Sequence, residues 1–255
     1  MIKISKDKRY KLLGIFLYVL ISCLVVLLTK PVYILSIIIV LVPPALVNFL
    51  WLKKSKKKIL VFSIISTILF AFAAELSSRL ANSWDVQSVL PRLFGILPLE
   101  NILFAFLNIF WVLSFYEYFV DRDFSSKISK KFKYLVLIFS LFSLIIFVLF
   151  FNGIDISMNY YFLAIITLLI PSVIIFSKKS SLLKKVLLPV LFFAIIFFVY
   201  ELIALKIGNW WWPGEYLLPV NLLGQTFPID DVIIWYFLST IACIGGYEFF
   251  MDDLK

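Results

Sequence analysis

Of the seven carboxyl groups that lie within or at the edge of long apolar runs, where a charge is costly, five fall at one depth. They belong to Glu75, Glu100, Glu201, Asp230 and Asp231. A charged side chain at the centre of a membrane helix costs roughly 2.5–3.5 kcal/mol on insertion scales. Desolvation and mutual repulsion keep some members of such a group protonated, and a protonated acid can donate its proton. The residue types therefore predict acid–base chemistry in an apolar setting, provided that these side chains converge.

Other kinds of catalytic site are excluded by composition. The chain has no histidine, which removes Ser-His-Asp and Cys-His chemistry and every histidine-ligated metal site. The two cysteines, Cys23 and Cys243, lie inside apolar runs and indicate buried packing residues, not a disulfide or a metal site. We expect no metal, and without a dinucleotide-binding fingerprint we expect no cofactor.

The elements that position the acids are membrane spans. Hydrophobic residues make up 63% of the 255 positions and charged residues 15%. The apolar residues form runs of about 20, long enough to cross a hydrocarbon layer of roughly 30 Å. They predict an all-α, polytopic membrane protein that forms a single membrane domain over 1–255. The predicted spans are 11–29, 32–52, 59–80, 98–120, 134–151, 160–177, 186–206 and 228–250, and Pro43-Pro44 should kink or divide the second.

The distribution of basic residues predicts the orientation of the spans. Of the 24 Lys and Arg, 20 fall at the chain ends or in the segments 53–58, 122–133 and 178–185. Only Lys30, Arg79, Arg92 and Lys206 lie on the other side. This bias predicts a cell-membrane protein with both termini in the cytoplasm. It also accounts for the net charge of +9 without nucleic acid, which we do not expect as a partner.

Two segments on the predicted outer side, 81–97 and 207–227, are rich in tryptophan. They contain Trp84 in one case and Trp210, Trp211 and Trp212 in the other. Tryptophan favours the headgroup region, which predicts segments that lie along the outer interface. The alternative is that these side chains shape the mouth of a cavity.

The chain contains an internal repeat, approximately 11–123 and 134–253. In both copies a glutamate precedes a tryptophan by nine residues, and a Pro-x-acidic sequence opens the last span. Four spans separate the copies, so they have the same orientation and form a parallel repeat. A cavity between the halves would then have two similar walls.

Depth separates the acidic residues into two groups. Glu75 and Glu201 fall in the outer third of their spans, and Pro98 and Pro228 place the other three acids near the outer ends. Glu117 and Glu248 follow about 19 residues later, roughly 28 Å deeper, and indicate ordinary charges at the cytoplasmic boundary. Pro-x-Glu and Pro-x-Asp are also typical helix openings, so capping is an alternative role for the acids there.

The paired helix openings, at 97–104 and 227–233, carry a resemblance. Together with the preceding tryptophan and glycine they resemble the membrane-integral lycopene cyclase domain family, most clearly over 75–123 and 201–253. That family typically has Glu-Glu where this chain has Glu100-Asn101 and Asp230-Asp231.

The resemblance implies a non-redox isomerisation of an apolar isoprenoid or carotenoid substrate. A carboxylic acid would protonate the terminal double bond of a linear polyene, the neighbouring double bond would attack the cation, and a base would remove a proton. The implied acid is Asp230, Asp231 or Glu100, while Glu75 and Glu201 tune it or accept the proton. The implied partners are the lipid bilayer, the substrate and other carotenoid enzymes.

Two other functions remain open from the residues. The first is a non-catalytic membrane binder or transporter of a lipid or isoprenoid that keeps the same fold. The second is an intramembrane prenyltransferase, which is disfavoured because Asp230-Asp231 is a single acidic pair, without a matching metal-binding partner. A ring-bearing product formed from lycopene would distinguish the enzyme from the binder.

Overall fold

A computed structural model describes residues 5–155 and 160–252 of the chain. Lys3 and Lys255, which belong to the charge count above, lie outside these ranges. The described chain is helical apart from short strands in its connections, and it is an all-α polytopic membrane protein. Eight helices in the described ranges are long and apolar enough to cross a membrane: α1 Lys6–Thr29, α2 Tyr33–Trp51, α3 Lys56–Leu80, α4 Leu99–Asp121, α5 Phe132–Phe151, α6 Tyr161–Lys178, α7 Leu182–Ile207 and α8 Ile229–Met251.

The helix α2 passes through Pro43 and Pro44 without interruption, so the predicted division of this span is not observed. Pro43 has no N–H to donate to the carbonyl of Ile39, four residues earlier. The hydroxyl of Tyr18 on α1 donates to that carbonyl at 2.8 Å. A neighbouring helix therefore satisfies the acceptor that proline releases, as membrane helices require.

The helices α4 and α7 form the centre of the bundle, because 56% of the most apolar 18-residue segment of each is buried. The corresponding share for α5 is 17%, so α5 faces mainly outward. Trp111 on α4 is fully buried and packs edge-on against Phe193 of α7 with ring centroids 5.0 Å apart. Its indole N–H donates to Asn48 Oδ1 of α2 at 2.9 Å. One side chain thus joins three helices by packing and a buried hydrogen bond.

The connections define two sides of the bundle. We call the side with the loops 52–55, 122–131 and 179–181 the termini side, because the described chain starts and ends there. The opposite side carries the long connections 81–98 and 208–228. On that side the strand β1 Asp85–Val86 pairs antiparallel with β4 Trp210–Trp211, which joins the two long connections directly.

Both long connections end in a β-hairpin that leads into a helix. The hairpin of β2 Arg92–Leu93 and β3 Leu97–Pro98 precedes α4, and the hairpin of β5 Pro219–Leu222 and β6 Gln225–Pro228 precedes α8. Each helix starts immediately after a proline with an extended backbone. The same local construction therefore orients the acidic residues that open α4 and α8.

Candidate functional site

A cavity of about 290 Å³ lies inside the bundle, bordered mainly by α3, α4 and α8. The helices α5, α6 and α7 add side chains to its wall, and so do both tryptophan-bearing connections. Most of the lining side chains are aromatic or aliphatic. Three carboxyl groups reach this apolar space, from Glu75, Glu201 and Asp231.

Glu75 lies near the end of α3 and accepts hydrogen bonds from three directions. Its Oε1 accepts from Asn101 Nδ2 at 2.6 Å, from Arg79 Nε at 2.8 Å and from Trp84 Nε1 at 3.3 Å. Glu75 and Arg79 lie one helical turn apart, where side chains meet. Glu75 is therefore the carboxylate of an ion pair at the edge of the cavity.

Arg79 also binds Asp85 in the connection that follows α3. Asp85 contacts the guanidinium of Arg79 and accepts from Arg92 Nη2 at 3.0 Å. Partial burial opposes ionisation of Asp85, but the N–H of Val86 and the two guanidinium groups lower its pKa below the ordinary value. This network fixes Arg79 against Glu75.

Glu201 on α7 has neutral partners. It is 2% exposed, its Oε1 accepts from Trp212 Nε1 at 2.9 Å, and its Oε2 accepts from the Tyr236 hydroxyl at 2.7 Å. Within residues 5–155 and 160–252, no Lys or Arg forms an ion pair with Glu201. Two elements thus orient this carboxyl group: the connection 208–228, through Trp212, and α8, through Tyr236.

The two acids that open α8 have different surroundings. Asp231 is 3% exposed and lines the cavity. Asp230 is not among the lining residues, and its carboxylate accepts a hydrogen bond from the Tyr161 hydroxyl, which itself accepts from Leu217 N at 2.7 Å. Asp230 therefore ties α8 to α6 and to the connection before α8.

Glu100 likewise faces away from the cavity. Its two carboxylate oxygens accept from Ser88 Oγ, Val89 N and Leu90 N, each at 2.8 Å. It holds the connection between α3 and α4. Of the five acids predicted to form one cluster, the structure brings Glu75, Glu201 and Asp231 together on the cavity and places Glu100 and Asp230 in the loop contacts behind it.

The aromatic residues of the connections belong to the cavity. Trp84 packs edge-on against Trp212 and Trp235, with ring centroids 6.1 Å and 5.6 Å apart, and all three line the space next to the acids. Of the two readings of these segments, the cavity mouth describes Trp84, Trp210 and Trp212, whereas Trp211 is 44% exposed. Ring faces at this position are suited to stabilise a positive charge.

Two site residues were not predicted from the sequence. Asn101 donates to Glu75, and Tyr236 donates to Glu201. Asn101 follows Glu100 as Asp231 follows Asp230, so the repeat could have predicted that Asn101 occupies a position equivalent to that of Asp231. Tyr236 gave no signal, because aromatic residues are abundant in every span.

A second buried polar group lies at the termini side. Lys58 Nζ is 3.3 Å from Glu117 Oε1 and 3.0 Å from Asp252 Oδ2, and all three side chains are fully buried. Tyr247 donates to Glu117 at 2.5 Å, and Tyr116 donates to Glu248 at 2.7 Å. The prediction that Glu117 and Glu248 are ordinary boundary charges was therefore wrong about their environment, since both are buried partners of another helix.

Three carboxylate oxygens of this second group lie close enough to share a cation. Those of Glu117, Asp121 and Asp252 lie within 4.8 Å of one another. The ammonium of Lys58 contacts two of these acids, and Lys185 Nζ binds Asp121 at 2.8 Å. The chain's own cations therefore fill the role that a metal would have here.

No known protein family, curated protein sequence or solved structure matches this chain significantly. The site therefore has to be interpreted from its own geometry. An apolar and aromatic cavity with two buried carboxyl groups and a third that is partly buried can transfer protons to and from a hydrocarbon.

Proposed function

We propose that this protein is a membrane-embedded enzyme that cyclises a linear isoprenoid by acid catalysis, most simply a lycopene cyclase. One observation carries the proposal: Glu75, Glu201 and Asp231 line one apolar and aromatic cavity inside the bundle. A carboxyl group inside a membrane protein costs free energy, and acids in such a place commonly mark a functional site. The family resemblance over 75–123 and 201–253 supports the same reaction.

The proton donor and the base are assigned from the positions and the partners of two of these acids. Asp231 is assigned the proton donor, because it is the cavity-facing member of the pair that opens α8. Its proton adds to the terminal double bond of the polyene, and the π electrons of the neighbouring double bond close the ring. Glu75, the carboxylate paired with Arg79, takes a proton from the new ring, and transfer of a proton from Glu75 back to Asp231 restores both groups, so atoms and charge balance without a redox step.

Glu201 and the tryptophans are assigned supporting roles. Glu201, held by Trp212 and Tyr236, keeps a carboxyl group of fixed orientation beside the developing cation. The ring faces of Trp84, Trp212 and Trp235 add cation–π stabilisation, which reaches about 2 kcal/mol when desolvated. Together they favour the cation over its neutral precursor.

We also propose that the two halves of the chain are copies with the same orientation, which form a parallel repeat. Lys58 of the first half pairs with Asp252 of the second, and Lys185 of the second half pairs with Asp121 of the first. In the same reciprocal way Tyr116 binds Glu248, and Tyr247 binds Glu117. Such exchanged pairs are expected when two like-oriented copies pack about an axis along the membrane normal.

The test is expression of the full chain in a cell that accumulates lycopene. We expect ring-bearing products from the wild type and their loss in Asp231→Asn, Glu75→Gln and Glu201→Gln. Asp230→Asn is the matched control, because it changes the adjacent carboxyl group outside the cavity. Unchanged lycopene with a folded wild-type protein would refute the enzyme and favour the non-catalytic binder of a lipid or isoprenoid.

A further inference from the structure

A groove between α1 and α2 lies on the surface of the bundle, apart from the cavity. One face of α1 and one face of α2 line it, with the residues Lys11, Gly14, Ile15, Tyr18, Pro43, Pro44, Val47 and Trp51. None of them lines the cavity. Among these lining residues Lys11 alone is charged, and Gly14 and Val47 are exposed. Because exposed parts of a membrane span face lipid, the groove is open to acyl chains.

The two ends of the groove lie at different depths. Trp51 is the last residue of α2, and tryptophan at a helix end favours the headgroup region. Lys11 Nζ lies 5.1 Å from the centroid of the Trp51 ring, so the charge is at this end. Pro43 precedes Trp51 by eight residues, which places it roughly 12 Å further into the membrane. A headgroup and a chain therefore meet different walls of one groove.

Gly14 leaves the middle of the groove open. A Cβ atom at this position would meet nothing within 4 Å, so no packing inside the chain requires a glycine. Its φ is not positive, so the backbone does not require one either. Glycine inside a helix is less favourable than alanine. An occupant from outside the chain would account for the missing side chain.

Three basic side chains surround the headgroup end. Lys11 Nζ donates to the Tyr118 hydroxyl at 2.9 Å, and Lys8 Nζ donates to the Tyr118 carbonyl. Both lysines are thus held at one point of α4. The charges of Lys11 and of the exposed Arg122, just beyond α4, repel the ammonium of Lys8.

The carboxylates near these cations leave positive charge in excess. Asp7 pairs with Lys11 at 2.9 Å, but its side chain is 70% exposed, and exposed ion pairs contribute little. Asp123 already accepts from the backbone N–H groups of residues 53–55. An added anion between the three cations would relieve their repulsion.

We propose that the groove between α1 and α2 binds one anionic phospholipid. Its phosphate lies at Lys8 and Lys11, and one acyl chain lies along Gly14 and Pro43. The charge of the headgroup complements the basic cluster, as in basic pockets between membrane helices, and the chain takes the space that glycine leaves. Since neither the cavity nor its acids take part, the inference goes beyond the proposed function and does not depend on it.

The test compares two lipids that share their acyl chains and differ in headgroup charge. The full chain in detergent is titrated with dioleoyl phosphatidylglycerol and with dioleoyl phosphatidylcholine, and native mass spectrometry gives the apparent Kd of the first bound lipid. We expect wild type to bind the anionic lipid about thirtyfold more tightly. The double variant Lys8→Gln, Lys11→Gln should lose this preference, whereas Lys11→Arg should keep it.

The matched control for charge is the double variant Lys130→Gln, Lys133→Gln. Both lysines are exposed at the start of α5, which packs on α3, so the variant removes two positive charges away from the groove. We expect it to retain the wild-type preference. An equal loss of preference in this control would reduce the effect to net charge and overturn the site.

Filling the groove tests the position of the acyl chain. Gly14→Leu keeps every charged contact, and its side chain enters open space, so the fold is retained. We expect both lipids to bind about tenfold more weakly in this variant. Free glycerol 3-phosphate, which has the charge without a chain, should not displace the bound lipid.

Three outcomes would overturn the proposal. They are equal affinities of wild type for the two lipids, unchanged binding in Gly14→Leu, and displacement of the lipid by glycerol 3-phosphate. The same spectra report the oligomeric state, and a dimer that dissociates in Gly14→Leu would assign the groove to a second copy of the chain instead.

Discussion

At the start of α4 and α8, two adjacent residues have opposite surroundings. Glu100 and Asp230 bind the connections outside the cavity, whereas Asn101 and Asp231 line it. Adjacent residues of an α-helix point about 100° apart, so one position after Pro-x faces the loop and the next faces the interior. The first carboxylate holds the helix entrance, which leaves the second position available for chemistry.

Replacing Glu100 by alanine should cost stability. Without the carboxylate, Ser88, Val89 and Leu90 lose the acceptor for three hydrogen bonds. Hydrogen bonds to a charged group contribute about 1.5–3 kcal/mol each, but Val89 and Leu90 are exposed and water can replace part of what they lose, so we expect a loss of about 2 kcal/mol in total. Thermal unfolding of the purified protein in detergent measures it. The exposed Glu215→Ala is the control, and equal melting temperatures for the two variants would contradict this role of Glu100.

Asp123, just beyond α4, should make stability dependent on pH. Its carboxylate accepts from the N–H groups of Lys53, Lys54 and Ser55 and from the Ser55 hydroxyl. Partial burial opposes ionisation, but these donors lower the pKa of Asp123 below its ordinary value. Its stabilisation is therefore complete above the unfolded pKa of about 3.9 and is lost as the pH falls through the lower folded value.

The measurement compares wild type with Asp123→Asn at a series of pH values. We expect wild type to be more stable by about 2 kcal/mol at pH 6, since hydrogen bonds to a charged group contribute about 1.5–3 kcal/mol, and the difference should shrink towards pH 3. The exposed Asp7→Asn serves as the control. A difference independent of pH would show that the charge of Asp123 is unimportant.

For individual residues, the sequence predicted how deep an acid lies along its span better than it predicted whether the side chain faces the cavity. The distance of each acid from its span end placed Glu75, Glu201 and Asp231 at one level, and they do share a cavity. Whether a side chain points inward depends on helix rotation, which tertiary packing decides. The loop donors that bind Glu100 come from residues without a recognisable motif, and they could not be predicted.

At the scale of elements, wider helical turns coincide with the two polar sites. Within the described part of the chain, five stretches have π-helical hydrogen bonding. Thr67–Ala71, Ile165–Leu169 and Val232–Leu238 supply residues to the cavity, and Glu117–Asp121 and Tyr247–Met251 hold the buried group at the termini side. Such turns are rare and occur frequently at functional sites. Hydropathy cannot reveal them, because an inserted apolar residue leaves an apolar run unchanged.

Deleting Ile233 should remove the activity but keep the helix. Ile233 lies in the stretch Val232–Leu238 and is 57% exposed, so no core contact is lost with it. The deletion converts the wide turn towards an α-helical one and rotates Asp231 by about 100° relative to Tyr236. We expect unchanged helicity by circular dichroism and no ring-bearing product from lycopene. The variant Ile233→Leu keeps the chain length and should remain active, and an active deletion would contradict the argument.

At the scale of the whole molecule, one buried lysine connects the two halves. Lys58 of α3 pairs with Glu117 of α4 and with Asp252 after α8. Removing one partner of a buried ion pair costs about 3–5 kcal/mol, because it leaves uncompensated charge, so Lys58→Met should be strongly destabilised. Thermal unfolding tests this against the exposed Lys57→Met.

The double variant Lys58→Met, Asp252→Asn separates charge from packing. If unpaired charge is the cause, removing one carboxylate should recover part of the lost stability. A double variant that is less stable than Lys58→Met would contradict this explanation.

The spans themselves were predictable from hydropathy, and the eight described helices agree with the predicted ranges to within a few residues. Lipid requires every backbone group to be satisfied internally, so an apolar run of this length has few alternatives to a helix. The pairing of β1 with β4 over the opposite side was not predictable, since strands of two residues carry no periodic pattern.

The orientation of the molecule is the last prediction. Of 24 Lys and Arg, 20 lie at the ends of the chain or in the segments that belong to the termini side, so we expect that side in the cytoplasm. Single cysteines are placed at the exposed positions Leu217 and Lys127 of a chain carrying Cys23→Ala and Cys243→Ser. A membrane-impermeant maleimide should label position 217 in intact cells, and position 127 only after permeabilisation. The reverse pattern would place the acid-bearing end of the cavity on the cytoplasmic side, and substrate would then have to be oriented from the inner leaflet.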